Sequence, residues 1–416
     1  MFSYIKKKAV KKMSEIRSYL GKRYDTNEIV RVFVKEGIIQ SIESAADNAA
    51  SCPWIAPGLF DIQINGGNGV TLVDPKLTEE QTLSVFKKIL REGNFRTCLT
   101  LTTHTSETMI HSAHVIARTI EHHPEYKRLI TGIHLEGPFL SPNAKGAHPV
   151  EYCREYDMNL IDAIQSASGG LVKIITLSPT YPNANEFIRH LVKKGIVVSL
   201  GHTDATPNAI TAAIEAGATC STHIGNATTH LLPKKENYFF AQLVSDKIWA
   251  GMIADSFHLS PMLMQIIIRT KGLNRLILVS DQAGTAGLPP GRYTTDLCEL
   301  EILPNGKITL YGDQHLLAGA SYPLAYGLMN VMKIAGLSLA QAYPLCTTHP
   351  AALLGVSRFS NSDTDFLEPG SSADFLIFKE QPAEYGPYGI TDTDHFVTGK
   401  LLFDSIIYQG VNVLEK

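Results

Sequence analysis

Between residues 59 and 280, short β-branched runs alternate with helical patterns, and this βα rhythm is what most limits the folds open to the chain. A strand that is apolar on both faces needs neighbours beside it and helices over it, which is the arrangement of a parallel sheet. The candidate strands are Leu59 to Gln63, Thr97 to Thr102, Ile130 to Leu135, Val172 to Leu177, Ile196 to Leu200, Thr219 to Thr222, Ala250 to Ala254 and Leu276 to Ser280. Eight such units predict an α/β fold closed as a (β/α)8 TIM-like barrel.

Helix starts between them are legible. Thr78-Glu79-Glu80-Gln81 fits a capping box, in which the Thr hydroxyl and the Gln side chain satisfy free backbone N–H groups, and Gly93 follows the last turn. Thr206-Pro207 opens another helix with a proline whose missing N–H would have had no partner. Ahead of the barrel, Ile29 to Ile42 reads as two strands around a Glu36-Gly37 turn. Apolar runs return at Ala373 to Phe378 and Ser405 to Val413, separated by a polar stretch from Gln381 to Gly399. Residues 21–56 and 365–416 are therefore expected to share one small β domain, leaving residues 57–364 as the barrel. Asn305-Gly306 between alternating apolar residues marks a hairpin insertion near 292–315, with helical patterns from Tyr322 to Leu345.

Residues 1–20 form a basic segment with Lys6, Lys7, Lys8, Lys11, Lys12 and Arg17, but without the apolar stretch a secretory signal needs. No charge-free apolar run approaches the ~18 residues of a membrane span. In 416 residues, 37 basic against 40 acidic side chains leave a formal charge of −3, so nothing in the balance draws the chain to nucleic acid. Six scattered cysteines (Cys52, Cys98, Cys153, Cys220, Cys298, Cys346) contain no Cys-x-x-Cys pair, which disfavours a zinc ribbon or a disulfide scaffold and fits a reducing cytoplasm.

In such a barrel the chemistry sits at the carboxyl ends of the strands. Following the candidate strands in order, those positions hold Gln63 and Asn65, Thr103 and His104, Glu136, Ser178, His202, His223, Asp255 with His258, and Asp281. Glu136, His202 and His223 supply one carboxylate and two imidazoles, a set that suits a zinc-like dication with a fourth position left for water. Asp281 is the candidate acceptor for that water's proton. Single histidines are mostly surface or core residues. His111, His114, His122 and His123 fall on helical or turn patterns and are left there, while His134 shares a strand face with Glu136 and is expected to be structural or to support the site from behind. The glycine turns Gly66-Gly67-Asn68-Gly69 and Glu136-Gly137-Pro138 fit no nucleotide fingerprint.

The stretches Pro57 to Gly67, His134-Leu135-Glu136-Gly137-Pro138-Phe139, Lys145-Gly146-Ala147-His148, Gly201-His202-Thr203, Thr222-His223 with Asn226-Ala227, and Ser280-Asp281 resemble the N-acetylglucosamine-6-phosphate deacetylases of the amidohydrolase superfamily. Later segments at Leu317-Ala318-Gly319-Ala320, His349-Pro350-Ala351 and Pro369 to Phe375 look similar too, so the resemblance runs from about Ile29 to Val413. It implies a barrel of the metal-dependent amidohydrolase type with a small β-sandwich domain built from both chain ends. Glu136, His202 and His223 would hold one divalent ion per subunit, Zn2+ first, with Fe2+, Co2+ or Mn2+ as alternatives. Asp281 would act as general base and then as acid. Gln63, Ala147, His148, Asn226, Ala227, His258, Leu317, Ala318 and Gly319 would contact the substrate or its attacking water.

Many amidohydrolases carry histidines for a second metal where Gln63 and Asn65 stand, and neutral amides are poor ligands for such an ion, so one metal is expected. Members of the family are commonly homodimers in which a basic residue reaches the partner's substrate phosphate. Lys234 stands at that spacing, in Lys234-Lys235-Glu236-Asn237 where an arginine followed by Glu-Pro-Gly is expected, and lysine lacks arginine's bidentate geometry. Gly225, Thr228, Ser256 and Ser178-Pro179-Thr180 also depart from the family pattern. The expected activity is hydrolysis of N-acetylglucosamine 6-phosphate to glucosamine 6-phosphate and acetate. Two alternatives stay open: a deacetylase for another N-acylated amino sugar, and a non-catalytic sugar-phosphate-binding protein on the same fold.

Overall fold

The computed structural model describes residues 15–46, 48–227, 234–235, 237–382 and 399–415. Lys6, Lys7, Lys8, Lys11 and Lys12 of the basic segment, Thr228, Glu236 and most of the polar stretch from Gln381 to Gly399 lie outside the described residues. Arg17 opens a strand, Arg17–Arg23.

Eight parallel strands form the central sheet: β1 (Leu59–Ile64), β2 (Asn94–Thr102), β3 (Ile130–Glu136), β4 (Val172–Leu177), β5 (Val197–Leu200), β6 (Cys220–Ser221), β7 (Trp249–Ile253) and β8 (Leu276–Val279). Each pairs with the next in chain order. The β8–β1 seam is closed just past the strand ends, where Asp281 N–H donates to Gln63 O at 3.0 Å and Asn65 N–H to Gln282 O at 2.8 Å. Lower in the seam, the buried Asp61 carboxylate accepts the Ser280 N–H at 3.2 Å and the Gln63 N–H at 3.1 Å.

Around this sheet run α1 (Glu79–Arg91), α2 (Ser106–His122), α3 (Met158–Ala167), α4 (Ala184–Lys193), α5 (Pro207–Ala216), α6 (Tyr238–Val244), α7 (Pro261–Lys271) and α8 (Leu324–Ala335). The capping box of α1 is formed, with Thr78 Oγ1 accepting the Gln81 N–H at 3.3 Å and Gln81 Oε1 accepting the Thr78 N–H at 2.9 Å. Its buried Val85, Phe86, Ile89 and Leu90 form one face toward the sheet, each such side chain contributing about 1.5–3 kcal/mol on burial. α5 is capped by Thr206 and stops at Gly217, whose φ of 119° is left-handed.

A separate apolar cluster takes Phe60 and Ile62 from β1, Cys98 from β2, Ile174 from β4, Cys220 from β6, Ile253 from β7, and Ile277 and Val279 from β8. Side chains from six strands meet only inside the ring, so the barrel is a packed core. Above it lies a polar layer. His134 donates from Nδ1 to Ile62 O at 3.0 Å and meets the Thr176 hydroxyl at 2.7 Å, and Thr222 Oγ1 stands 2.6 Å from both Thr176 Oγ1 and Ser199 Oγ. Burial lowers the proton affinity of His134, which is spent on these two bonds under the site.

Both chain ends share one seven-stranded sheet, in the order Val411–Asn412, Gly399–Tyr408, Phe375–Pro382, Trp54–Ala56, Arg17–Arg23, Ile29–Lys35, Ile38–Ser44. Glu36 and Gly37 make the turn between the last two, with φ of 53° and 80°. After β8, the strands Gly291–Thr294, Glu299–Ile302, Ile308–Leu310 and Asp313–Leu317 form an antiparallel insert beside the barrel mouth.

Candidate active site

Glu136, the last residue of β3, and His202, His223 and Asp281, each two residues past β5, β6 and β8, point to one place. Glu136 Oε1 lies 3.2 Å from His202 Nε2 and 2.9 Å from His223 Nε2, and the two nitrogens are 3.3 Å apart. All three residues are buried. His202, His223 and Asp281 have left-handed backbones, with φ of 50°, 26° and 54°, a conformation that costs a non-glycine residue about 1–3 kcal/mol. The chain turns sharply at the end of each strand to aim the side chain inward, and the surrounding barrel sustains the strain.

The ring tautomers follow from their outer partners. His202 Nδ1 faces the carbonyl oxygens of Ala144 and Lys145, each at 3.1 Å, so it carries the proton and Nε2 presents a lone pair to Glu136. His223 Nδ1 is buried without a hydrogen-bond partner among the described residues. Three electron-rich atoms within 3.3 Å of one another need a cation or a proton between them. Ligands about 2.0–2.1 Å from a tetrahedral ion stand roughly 3.3 Å apart, so the donor set fits a single dication.

Glu136 and His202 also form a possible ligand group with His148, whose ligand atom lies within 4.8 Å of theirs. Its chemistry differs from that of His223. His148 Nδ1 accepts the Thr103 N–H at 3.4 Å, so Nε2 carries the proton and is a donor. Burial, then the nearby His202, push its pKa down to about 3. A neutral imidazole that keeps an N–H is a hydrogen-bond donor, whereas His223 Nε2 stands directly against Glu136 Oε1 at 2.9 Å.

Two buried carboxylates share the floor and are driven apart. Burial pushes Glu136 up, but the His202 and His223 rings set against its Oε1 outweigh it and hold the group well below the usual range. Burial and the Glu136 charge push Asp281 up to about 6, against the pull of His223, His258 and Asn65. For His223, burial opposes a charge, yet the Glu136 hydrogen bond and the Glu136 and Asp281 charges raise its proton affinity. Gln63 Nε2 lies between the carboxylates, 3.1 Å from Glu136 Oε1 and 3.1 Å from Asp281 Oδ1, and Asn65 Nδ2 reaches Asp281 Oδ1 at 2.8 Å. Amide N–H donors fill the space between Glu136 and Asp281 and would repel a second cation there.

Above this floor opens a cavity of about 720 Å³. Of the positions anticipated from sequence, Ala147, His148, Asn226, Ala227, His258, Leu317, Ala318 and Gly319 line it with Glu136, His202, His223 and Asp281. Gln63 sits behind the carboxylates. Lys234 and Lys235 are exposed and do not line it. His258 is oriented by Asp255, whose Oδ2 accepts from Nδ1 at 2.8 Å and whose Oδ1 accepts the N–H groups of Phe257 and His258. Burial opposes the charge of Asp255, but His258 keeps its pKa lowered.

Two strand-end residues serve elsewhere. Ser178 bonds Thr203 Oγ1 at 2.8 Å. His104 turns to the insert, where its Nε2 meets Asp296 Oδ2 at 2.9 Å while Nδ1 accepts the Thr105 N–H and Tyr152 stacks on the ring. This clasp ties the insert to the barrel, and Thr295, Leu297, Cys298 and Leu300 form a roof over the cavity. Sequence reasoning missed that roof, which lies beyond the strand ends, and it missed Asn65 as a partner of Asp281. Lys145 was legible only as part of a motif.

The Amidohydrolase family model matches residues 54–402. The N-acetylglucosamine-6-phosphate deacetylase of Rattus norvegicus is 32% identical, over 84% of this chain and 86% of the relative. The N-acetylgalactosamine-6-phosphate deacetylase of Escherichia coli O157:H7 is 30% identical, over 82% of this chain and 88% of its own length. In fold, the chain is similar to a mutant N-acetyl-D-glucosamine-6-phosphate deacetylase of Mycobacterium smegmatis in complex with N-acetyl-D-glucosamine-6-phosphate, with a TM-score of 0.79 and 23% identity over 96% of this chain and 99% of that one.

Proposed function

The chain belongs to the amidohydrolase family, and from that footing we propose that it hydrolyses the acetamido group of an N-acetylated hexosamine 6-phosphate, N-acetylglucosamine 6-phosphate first, to the free amine and acetate. The observation that carries this reading is the pairing, on one cavity floor, of a Glu136–His202–His223 cluster with a second buried carboxylate, Asp281, joined to Glu136 through the single amide of Gln63. A metal-binding group beside a carboxylate free to move a proton is what amide hydrolysis needs.

Glu136, His202 and His223 would hold one divalent ion, which supplies Lewis acidity for the amide carbonyl and its attacking water. Asp281 takes a proton from the water as the new C–O bond forms, then passes it to the nitrogen as the C–N bond breaks. Without that proton the amine cannot leave. His148 offers its Nε2–H to the carbonyl oxygen as charge develops there, and His258, fixed by Asp255, faces the sugar side of the cavity. Among the described residues no helix is long and apolar enough to cross a membrane, and the six cysteines are free, which supports a cytoplasmic setting.

The partner of this chain is proposed to be a second copy. Phe240 and Val244 of α6, with Met262 and Ile266 of the adjacent α7, are large exposed apolar residues four apart on each helix. Lys234 lies just before α6 and outside its own cavity, which supports its reaching the partner's substrate phosphate. A Val244→Asp, Met262→Asp double variant is expected to run as a monomer by light scattering, and an unchanged mass would remove the interface.

Acetate release should be screened with N-acetylglucosamine, N-acetylgalactosamine, N-acetylmannosamine and their 6-phosphates. The N-acetylglucosamine 6-phosphate reaction is expected to be fastest. A faster galactosamine epimer would shift the reading to the other curated relative's activity, and no acetate from any would leave a sugar-phosphate-binding protein.

A further inference from the structure

Asn65 is the one floor residue whose side chain touches Asp281 and neither carboxylate nor imidazole of the Glu136 cluster among the bonds described. It lies one residue past β1, is 8% exposed, and its Nδ2 is closer to Asp281 Oδ1 (2.8 Å) than Gln63 Nε2 is to the same atom (3.1 Å). Backbone bonds flank this contact on both sides of the seam, from Asp281 N–H to Gln63 O and from Asn65 N–H to Gln282 O, while Leu72 N–H donates to Asn65 O at 2.9 Å. Asn65 and Asp281 are thus held in fixed register.

The amide's orientation is decided by its neighbour, since only the NH2 end is attracted to a carboxylate oxygen. Asn65 Oδ1 is then turned away and stays buried with no partner among the described residues. A buried acceptor left without a donor is unfavourable. The amide is thus oriented by its donor end, which points to the contact with Asp281 as its role.

A carboxylate's terminal torsion is broad and two-fold, so an unanchored Asp can exchange its oxygens by rotation. Proton transfer from water to a leaving nitrogen needs one basic oxygen held toward both. With two N–H donors on Oδ1, the lone pairs left for that proton are those of Oδ2, to which no described side chain bonds.

Resting on the reading of Asp281 as proton carrier, we propose that Asn65 is a positioning residue that locks the carboxylate and selects Oδ2 as the atom carrying the proton. Water gives its proton to Oδ2 as the C–O bond forms, and Oδ2 gives it to nitrogen as the C–N bond breaks. Gln63 cannot be a clean probe of this because it bonds both carboxylates; Asn65 can.

The test compares wild type, Asn65→Ala, Asn65→Gln and Asp281→Asn as metal-loaded enzymes, on whichever hexosamine the wild type deacetylates. Asn65→Ala is expected to lose roughly 10–100-fold in kcat, part of the ~10²–10⁴ that general acid–base catalysis supplies, with KM within about twofold. Its metal content should stay that of wild type and its solvent deuterium isotope effect on kcat should rise, because transfer of the proton becomes slower. Asn65→Gln, which keeps the donor, should recover part of kcat. An unchanged kcat beside an inactive Asp281→Asn would overturn the proposal, as would a loss of metal or a loss confined to KM. Failure of the deacetylase reading is seen separately, as absence of turnover in the wild type.

Discussion

On the floor of the cavity the carboxylates of Glu136 and Asp281 are held by other buried groups, whereas the lysines proposed to meet a phosphate are exposed. Gln63 Nε2 stands 3.1 Å from both Glu136 and Asp281, and His202 is fixed by two backbone carbonyls. Lys234 and Lys235, outside the lining, are exposed, and the roof is tied down by the His104–Asp296 clasp, whose Asp296 is itself exposed. Burial on the floor turns small positional choices into large electrostatic differences, since two carboxylates a single amide apart are pushed in opposite directions. At an exposed position solvent screens charge, so a residue there tunes affinity more than chemistry.

The largest effect should come from breaking the floor's division of labour. Asp281→Asn removes the proposed proton carrier but keeps shape and can still hydrogen-bond, so kcat is expected to fall by about 10²–10⁴-fold while elemental analysis still finds about one ion per chain. Retained turnover would remove Asp281 from its role. Glu136→Gln should give the complementary result, with both turnover and bound metal lost, because the cluster keeps its imidazoles but loses its charge. Wild-type enzyme carrying two tight ions per chain would show that the amides of Gln63 and Asn65 do not fill the second position.

The floor was more legible in the sequence than its surroundings for a physical reason. A strand end in a barrel points inward wherever it lies, so Glu136, His202, His223 and Asp281 could be aligned from the βα rhythm alone, even though β6 has only two residues. The strand bounds moved by at most three residues, at Asn94 where β2 starts early. What could not be read was set by contacts distant in sequence. His104 looks like a site residue at the end of β2, but its ring is claimed by Asp296, 192 residues away. The donor character of His148 depends on the Thr103 N–H, and the roof depends on how the insert folds back. Neither leaves a periodic signature.

Outside the cavity lining, Lys234→Ala sharpens the comparison from the other side. A charge-assisted bond to phosphate predicts KM higher by roughly tenfold or more for the 6-phosphate, with kcat little changed and hardly any effect on the unphosphorylated sugar. Steady-state kinetics on the matched pair of substrates separates this from a general loss of fold. Equal effects on both sugars would assign Lys234 to the interface alone.

The smallest expected effect concerns stability and a third buried carboxylate, Asp61, which sits in the same seam as Asp281 yet contacts backbone N–H groups of Gln63 and Ser280. Burial pushes its pKa up to about 7, despite the bonds that favour its charge. In the unfolded chain it titrates near an ordinary carboxylate value of ~3.9. Between those two values the folded state binds the extra proton, so the contribution is fully present below pH ~4 and is lost as pH rises through about 7. Asn at this position does not titrate and keeps one acceptor, Oδ1, within reach of both the Gln63 N–H at 3.1 Å and the Ser280 N–H at 3.3 Å. Wild type is therefore expected to lose more thermal stability between pH 5 and pH 8 than Asp61→Asn, with the variant's Tm closer to or above that of wild type at the alkaline end. Parallel melting curves for the two proteins across this range would show that the seam holds an ordinary ionised carboxylate, unlike the floor, where burial and the Glu136 charge push Asp281 up.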